Sequence, residues 1–372
     1  MELVAEEVAR GELLYADRRR ATVAMWKVAA DWWKVPGVVG VNVGYRTKFN
    51  QIVSPLQIAI LVDVVAKQPR SYLAAKDKFI FPREIAGVPV KVRQTRYLSS
   101  LATGISVTEG IARKYDSGRL IGGMAISASE TFDSWGTLGI CLPAAGDQNT
   151  ENHGKLVAVS NQHVVGASGT VSTVDCTSMA GESPTIASTN PPPMTSTTVC
   201  VPPGTSAIVG AVYQSALNPF VDASAFAAAG DGSIPQLVEG LLDTDFIDGP
   251  LRFLRQSELK PGGRIHDIRK CGARTGTQPG IITNRRMSIR VPELLDEPFE
   301  NVIEISGLDD EIVTDAGDSG AVIVGRYLDT PVVFGLNFAM SDDRKRCYAF
   351  PFGKVLTALG LRLPPHRLID IP

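Results

Sequence analysis

From about residue 115 onward the chain has the texture of short strands. GGMAISAS, WGTLGICL, KLVAVSNQHVV, SAIVGAVYQ, VDASAFAAA, RIHDIRKCG, GIITNRRMSIRV, ENVIEISG, GAVIVGRY, PVVFGLNFAM and RCYAFPF follow one another, separated by Gly, Pro, Ser and Asn. These segments favour the branched and aromatic residues that suit a pleated surface, and about ten of them at this spacing predict an antiparallel barrel or sandwich. A helical pattern returns only at KVLTALGL, near the end. One stretch breaks the rhythm. Residues 167–204, with STNPPPMTSTTVCVPPG inside them, are rich in Pro, Ser and Thr and are expected to form a long, partly mobile surface loop.

Upstream the pattern differs. Residues 1–35 are rich in Ala, Glu, Leu and Arg and predict a helix. Trp26, Ala29 and Trp33 share one face, with Met25 and Trp32 beside them, so the helix is expected to dock by its tryptophans. The alternative is a helix that offers this stripe to a partner. Pro36-Gly37 ends it. VVGVNVGYR, LQIAILVDVVA and GVPVKVRQ then read as strands, with one helix in RSYLAAKDKF. Residues 36–100 thus predict a small α/β module of structural or regulatory role, ahead of a strand-rich unit at 115–372.

With 372 residues and 44% hydrophobic content, the chain can bury a large core in more than one unit. Its net charge of −2 provides no basic field for nucleic acid or an anionic membrane, so neither is an expected partner. The N-terminal MELVAEEVARGELLYADRRR is acidic and charged rather than basic and then apolar, and the expected location is cytoplasmic. The five cysteines (Cys141, Cys176, Cys200, Cys271, Cys347) are scattered, without a CxxC pair. Free thiols are expected, and no metal site or other cofactor; a Cys176–Cys200 pair is the alternative if the chain is exported.

The stretch TDAGDSGAVIVG, residues 314–325, places Gly, Asp, Ser and Gly directly before an apolar run. It is either a tight turn before a buried strand or a loop that presents a nucleophile. A serine hydroxyl is a poor nucleophile until a base takes its proton, which makes histidine the residue to look for. There are four: His153 in a polar loop, His266 among basic residues, His366 in a Pro-rich tail, and His163 at the end of an apolar run. Taken alone, His163 reads as a satisfied core residue. A catalytic base also needs an orienting carboxylate, and Asp222 in NPFVDASAFAAAG has the most apolar setting. It is either that carboxylate or a cap at a strand end. Asp175, in polar surroundings, is the rival. Gly317 tolerates a sharp bend, which allows the Gly317 and Ser319 amides to converge on a developing oxyanion.

Several segments together carry a resemblance. SNQHVV resembles the histidine segment, VDASA the aspartate segment and GDSGA the serine loop of chymotrypsin-like (trypsin-like) serine peptidases, especially bacterial intracellular members. KCGARTGTQPGIIT and GLNFAMSDDRKRCYAFPFGKVLTALGL resemble later strands of that family. The likeness spans about residues 120–363, in the family's order. It implies a mainly β protein: a chymotrypsin-like double β-barrel preceded by an N-terminal helix and a small α/β module. It implies Ser319 as nucleophile, His163 as base, Asp222 as its orienter, and Gly317 with Ser319 as the oxyanion hole.

The resemblance also implies that Phe338–Ser341 aligns a protein or peptide substrate by β-pairing. Val313 would lie at the base of the specificity pocket, Asp315 nearby, and Met340 at its wall, favouring small or apolar side chains. SGRLIGGMAIS is similar to an activation junction, so cleavage near Arg119 would free a new N-terminus at Leu120 or Ile121 to pair with Asp318. The alternative there is a linker ending in the first strand. The expected activity is peptide hydrolysis through an acyl-enzyme. The competing expectations are a silent fold used as a binding module, and a latent peptidase released by a partner at the N-terminal module or by cleavage near Arg119.

Overall fold

The computed structural model of the chain describes residues 2–48, 51–52, 57–103, 119–127, 134–143, 156–166, 198–200, 208–228, 236–241, 251–255 and 265–370. A helix of 31 residues, Glu2–Trp32, opens the chain and ends ahead of Pro36 and Gly37. It packs on two strands, Val38–Tyr45 and Ile58–Val64, through Ala21, Ala24 and Trp32. The alanines allow close approach, and Trp32 meets Phe81 edge-on with ring centroids 5.2 Å apart. The expected docking face is therefore corrected by a fraction of a turn. Trp26 is 66% exposed, while Ala29 and Trp33 are only partly buried.

Ile58–Val64 lies between two neighbours, antiparallel to Val38–Tyr45 and parallel to Val88–Gln94, with the helix Arg70–Ala75 in the parallel connection. Both faces of that strand are covered, which is why IAILVDV is almost uninterruptedly apolar. Its one charged residue, Asp63, is fully buried and clasped by Arg93, whose Nε and Nη2 donate at 2.6 and 3.0 Å. The α/β unit is joined to the rest of the molecule by sheet, because Gly40 pairs with Ile289.

Ile289 ends a strand of a closed barrel. Its six strands run in the order Ile265–Gly272, Val322–Tyr327, Thr330–Ser341, Arg346–Pro351, Phe299–Gly307 and Gly276–Ile289, and the last pairs with the first. Phe299, Phe338 and Phe350 pack together in a core that also takes in Ile140, Val157 and Ala225, with Phe338 and Phe350 stacked at 4.1 Å. The other half is a seven-stranded sheet ordered Thr198–Cys200, Ile208–Asn218, Val221–Ala228, Leu156–Ser160, Ile140–Pro143, Gln236–Leu241 and Arg119–Gly122. Among the described residues only the later half closes into a barrel; the earlier one is an open sheet.

Between the halves runs residues 97–103. Tyr97–Ser99 adds a strand to the barrel against Thr330–Ser341, and Ala102–Thr103 pairs with Ser134–Thr137. Most of the expected loop at 167–204 lies outside the described residues, as do Asp175, Cys176 and His153; Thr198–Cys200 is a strand paired with Ile208–Asn218. Cys141, Cys271 and Cys347 are buried and in no disulfide. Among the described residues no helix is long and apolar enough to cross a membrane.

Candidate active site

Asp222 lies in Val221–Ala228, a strand buried among apolar neighbours, and its own exposure is zero. A carboxylate so placed needs donors. Two come from the main chain: Gln162 N–H at 2.7 Å and His163 N–H at 3.2 Å both donate to Oδ1. The side chain of Asn161 meanwhile donates to the Asp222 carbonyl at 2.7 Å. These contacts explain a departure from the sequence reading. His163 does not end a strand: Leu156–Ser160 stops short, and His163 sits in a single helical turn, Gln162–Val165, whose first amides point at the carboxylate. The turn swings the imidazole so that Nδ1 meets Asp222 Oδ2.

The other ring nitrogen, Nε2, is 2.7 Å from Ser319 Oγ. Ser319 follows the bend at Ala316–Asp318, where Gly317 has φ +108. A Cβ at Gly317 would lie 2.4 Å from the ring of buried Trp135, so backbone geometry and packing both require glycine. Gly320, at φ +92, lies equally close to Thr137. Thr137 also holds the loop from outside, its N–H donating to Ser319 O at 2.6 Å and its hydroxyl to Gly317 O at 2.8 Å. The result is two amides aimed at one point. Gly317 N–H and Ser319 N–H donate to a single oxygen, the carbonyl of Ser100, at 2.6 and 3.1 Å.

Asp318 points the other way, into the barrel. It pairs with Lys270 and accepts from Thr275 Oγ1 at 2.8 Å, from Arg274 N–H at 3.0 Å and from Asp315 N–H at 3.0 Å. Both members of the ion pair are fully buried. This favours the reading of SGRLIGGMAIS as a linker ending in a strand over a new N-terminus at Leu120 or Ile121. Asp318 already has a cation from within the chain, while Arg119–Gly122 is a strand parallel to Gln236–Leu241 with Leu120 buried.

Sequence reasoning brought Asp222, His163, Ser319 and Gly317 to one place, and the structure assembles all four. Phe338, Ala339 and Met340 also lie here: Ser319 Oγ is 3.2 Å from Phe338 O, and Ala339 and Met340 pair with Ser99 and Leu98. Val313 is different. It packs in the barrel core with Ile305, Ile323 and Cys347 instead of facing this cleft. Of the other histidines, His266 is 56% exposed beside Asp329, and His366 sits in a short turn near the C-terminus. Two participants were missed. Lys270 shares strand parity with Ile268, which marks it as inward-facing, but a lysine on a buried face was not sought. The segment 97–101 carries no motif at all.

No protein-family model matches the chain, and no curated protein does. Among solved structures, the chain is similar to Thermobifida fusca Protease A, with 14% identity and a TM-score of 0.41, over 66% of this chain and 98% of that one. A glutamic acid specific serine protease is similar at 17% identity and a TM-score of 0.41, over 66% and 100%. The active form of the Rv3671c protease from M. tuberculosis aligns at 16% identity and a TM-score of 0.34, over 70% and 96%. The fold is mainly β, with a closed barrel carrying Ser319 and a second sheet carrying Asp222, as the sequence implied. The site's own geometry, not these distant likenesses, supports the functional reading.

Proposed function

We propose that the chain is a serine endopeptidase that hydrolyses peptide bonds through a covalent acyl-enzyme. The observation that supports this reading is the unbroken line from Asp222 through His163 to Ser319, ending where two amides converge on one carbonyl oxygen. In this reading His163 Nε2 takes the Ser319 proton as Oγ attacks, then returns it to the leaving amine. Asp222 fixes the tautomer that leaves Nε2 free and stabilises the imidazolium as it forms. The Gly317 and Ser319 amides stabilise the negative oxygen, a contribution worth roughly 3–4 kcal/mol per donor in comparable sites. Phe338, Ala339 and Met340 supply the edge on which substrate backbone lies. The substrate is a protein or peptide, no cofactor enters, and the scattered free thiols agree with a cytoplasmic setting.

One observation favours latency over a silent fold. Ser319 has no exposed surface, because the chain's own segment covers a site that is otherwise assembled. A regulatory partner at the N-terminal unit belongs to the same reading. The test is labelling with a fluorophosphonate probe, located by mass spectrometry. Because the segment covers Ser319, the probe is given both to the wild type and to Ser100→Trp, which is too large for the enclosed position. Label on Ser319 in the latter, absent after adding Ser319→Ala, is expected. A folded Ser100→Trp chain that takes no label would remove Ser319 from the mechanism.

A further inference from the structure

The segment that covers Ser319 does so in an ordered way on both sides of one bond. Before the bond, Tyr97, Leu98 and Ser99 pair antiparallel with Ser341, Met340 and Ala339, and Ser100 N–H donates to Phe338 O at 3.2 Å. At the bond, the Ser100 carbonyl receives both converging amides. After it, Ala102 and Thr103 pair with Trp135 and Ser134. A strand that only blocked the cleft could cross it in any register. This one seats a single carbonyl on the amides of Gly317 and of Ser319 itself, and holds the chain on either side.

From this alignment we infer that the chain is its own substrate: Ser319 cleaves the Ser100–Leu101 bond in cis, separating the N-terminal helix and α/β unit from the peptidase unit. The inference rests on the peptidase reading above. Ser319 Oγ bonds to the Ser100 carbonyl carbon, the C–N bond to Leu101 breaks, and the serine proton passes through His163 to the Leu101 nitrogen. The Leu101 N–H donates to Ser99 Oγ at 3.2 Å, and that hydroxyl is 3.3 Å from His163 Nε2, so the leaving nitrogen stands within one hydroxyl of the base. Water then hydrolyses the Ser100 ester, leaving a carboxylate at Ser100, an amine at Leu101 and a restored Ser319 hydroxyl.

The reacting segment is held through the α/β unit. Tyr97 donates its hydroxyl to Asp63 at 2.6 Å; Asp63 is clasped by Arg93, and Arg93 reaches Glu304 of the barrel at 3.5 Å. Residues 97–100 therefore remain paired in the cleft after the bond is cut, and the cut unit leaves in a second step. The Ser100 side chain is enclosed, and its hydroxyl makes no hydrogen bond among the described residues. A site shaped this way selects a small, apolar-tolerant residue before the cut. The substrate class in trans is accordingly peptides with Ser or Ala at that position.

The experiment is intact-mass analysis of the purified full chain over time, for wild type, Ser319→Ala and Ser100→Trp, with the probe labelling run alongside. Fragments 1–100 and 101–372 in wild type are expected, with an intact chain in both variants. The rate should not change on roughly tenfold dilution, as an intramolecular step requires. A wild type that stays whole while Ser100→Trp takes the probe at Ser319 overturns self-cleavage and leaves the peptidase reading standing. Cleavage at another bond, or a rate that falls with dilution, also overturns it. If Ser100→Trp is folded and takes no probe, the peptidase reading itself fails.

Discussion

Two buried carboxylates flank Ser319, and they are partnered in opposite ways. Asp222 faces an imidazole, a group that can take up and release a proton and is linked directly to the serine hydroxyl. Asp318, next to Ser319 in the chain, faces the Lys270 ammonium and a ring of main-chain and threonine donors. Both have zero exposure. The difference lies in what the partner can do. A lysine pair holds its charge and fixes the loop. A histidine partner can gain and lose a proton while the carboxylate holds it in place. On the proposed peptidase reading, burial alone does not separate the catalytic acid from the structural one; the proton capacity of the neighbour does.

The largest effect expected from breaking this comparison is on the Asp222 side. Asp222→Asn keeps the shape and still accepts from Gln162 and His163 N–H, but its amide favours the wrong tautomer. The rate of Ser319 acylation should fall about 10⁴-fold, roughly 5.5 kcal/mol of barrier, as in the serine-peptidase template. Unfolding measured in parallel should barely move. Acylation at the wild-type rate would leave Asp222 a strand-end cap and nothing more.

On the Asp318 side the effect should appear in stability. Lys270→Met leaves a buried carboxylate without its cation, a change that typically costs about 3–5 kcal/mol. Denaturant unfolding measures it. Adding Asp318→Asn should recover part of the loss: it removes the unpaired charge, its oxygen still accepts from Arg274 and Thr275 N–H, and its NH2 can donate to Thr275 Oγ1, while Asp315 N–H loses its acceptor. If Lys270→Met alone is neutral, the two acids are not opposites, and Asp318 does not depend on this pair.

Much of this contrast could be read before the fold was known. Only four histidines occur, and Asp222 stands out because its neighbours are apolar; both signals are local in sequence. Gly317 announced the bend for the same reason. What escaped is non-local. Val313 was assigned to a pocket by position alone, and barrel closure puts it in the core. The helical stripe places Trp26 on the docking face with Trp33, and Trp32 only beside it, but the sheet beneath decides which edge of a stripe is buried. Ser100 lies in an unremarkable polar-apolar run, YLSSLATG, and its position follows from the α/β unit being stitched to the barrel at Gly40 and Ile289.

A third buried acid, Asp63, sharpens the comparison at the smallest scale, because its partners anchor the segment over Ser319. Burial alone would raise its carboxyl, but the Arg93 charge and hydrogen bonds, with the Tyr97 hydroxyl, outweigh burial and hold it below the ordinary range. A lowered folded value means that its stabilisation is complete above the ordinary carboxylate range and is lost as pH falls through the folded value. Tyr97→Phe removes one donor while keeping the ring against Tyr348, at 4.9 Å. A loss of about 1.5 kcal/mol is expected at neutral pH, the usual worth of a hydrogen bond to a charged group. The folded value should also rise toward the ordinary range, so the variant has less of this stabilisation to lose and its acid loss ends at a higher pH than in the wild type. The stability gap between the two chains should therefore narrow as both carboxylates protonate. A gap that stays constant down to strongly acidic pH would assign the loss to packing and would leave the Asp63 anchor resting on Arg93 alone.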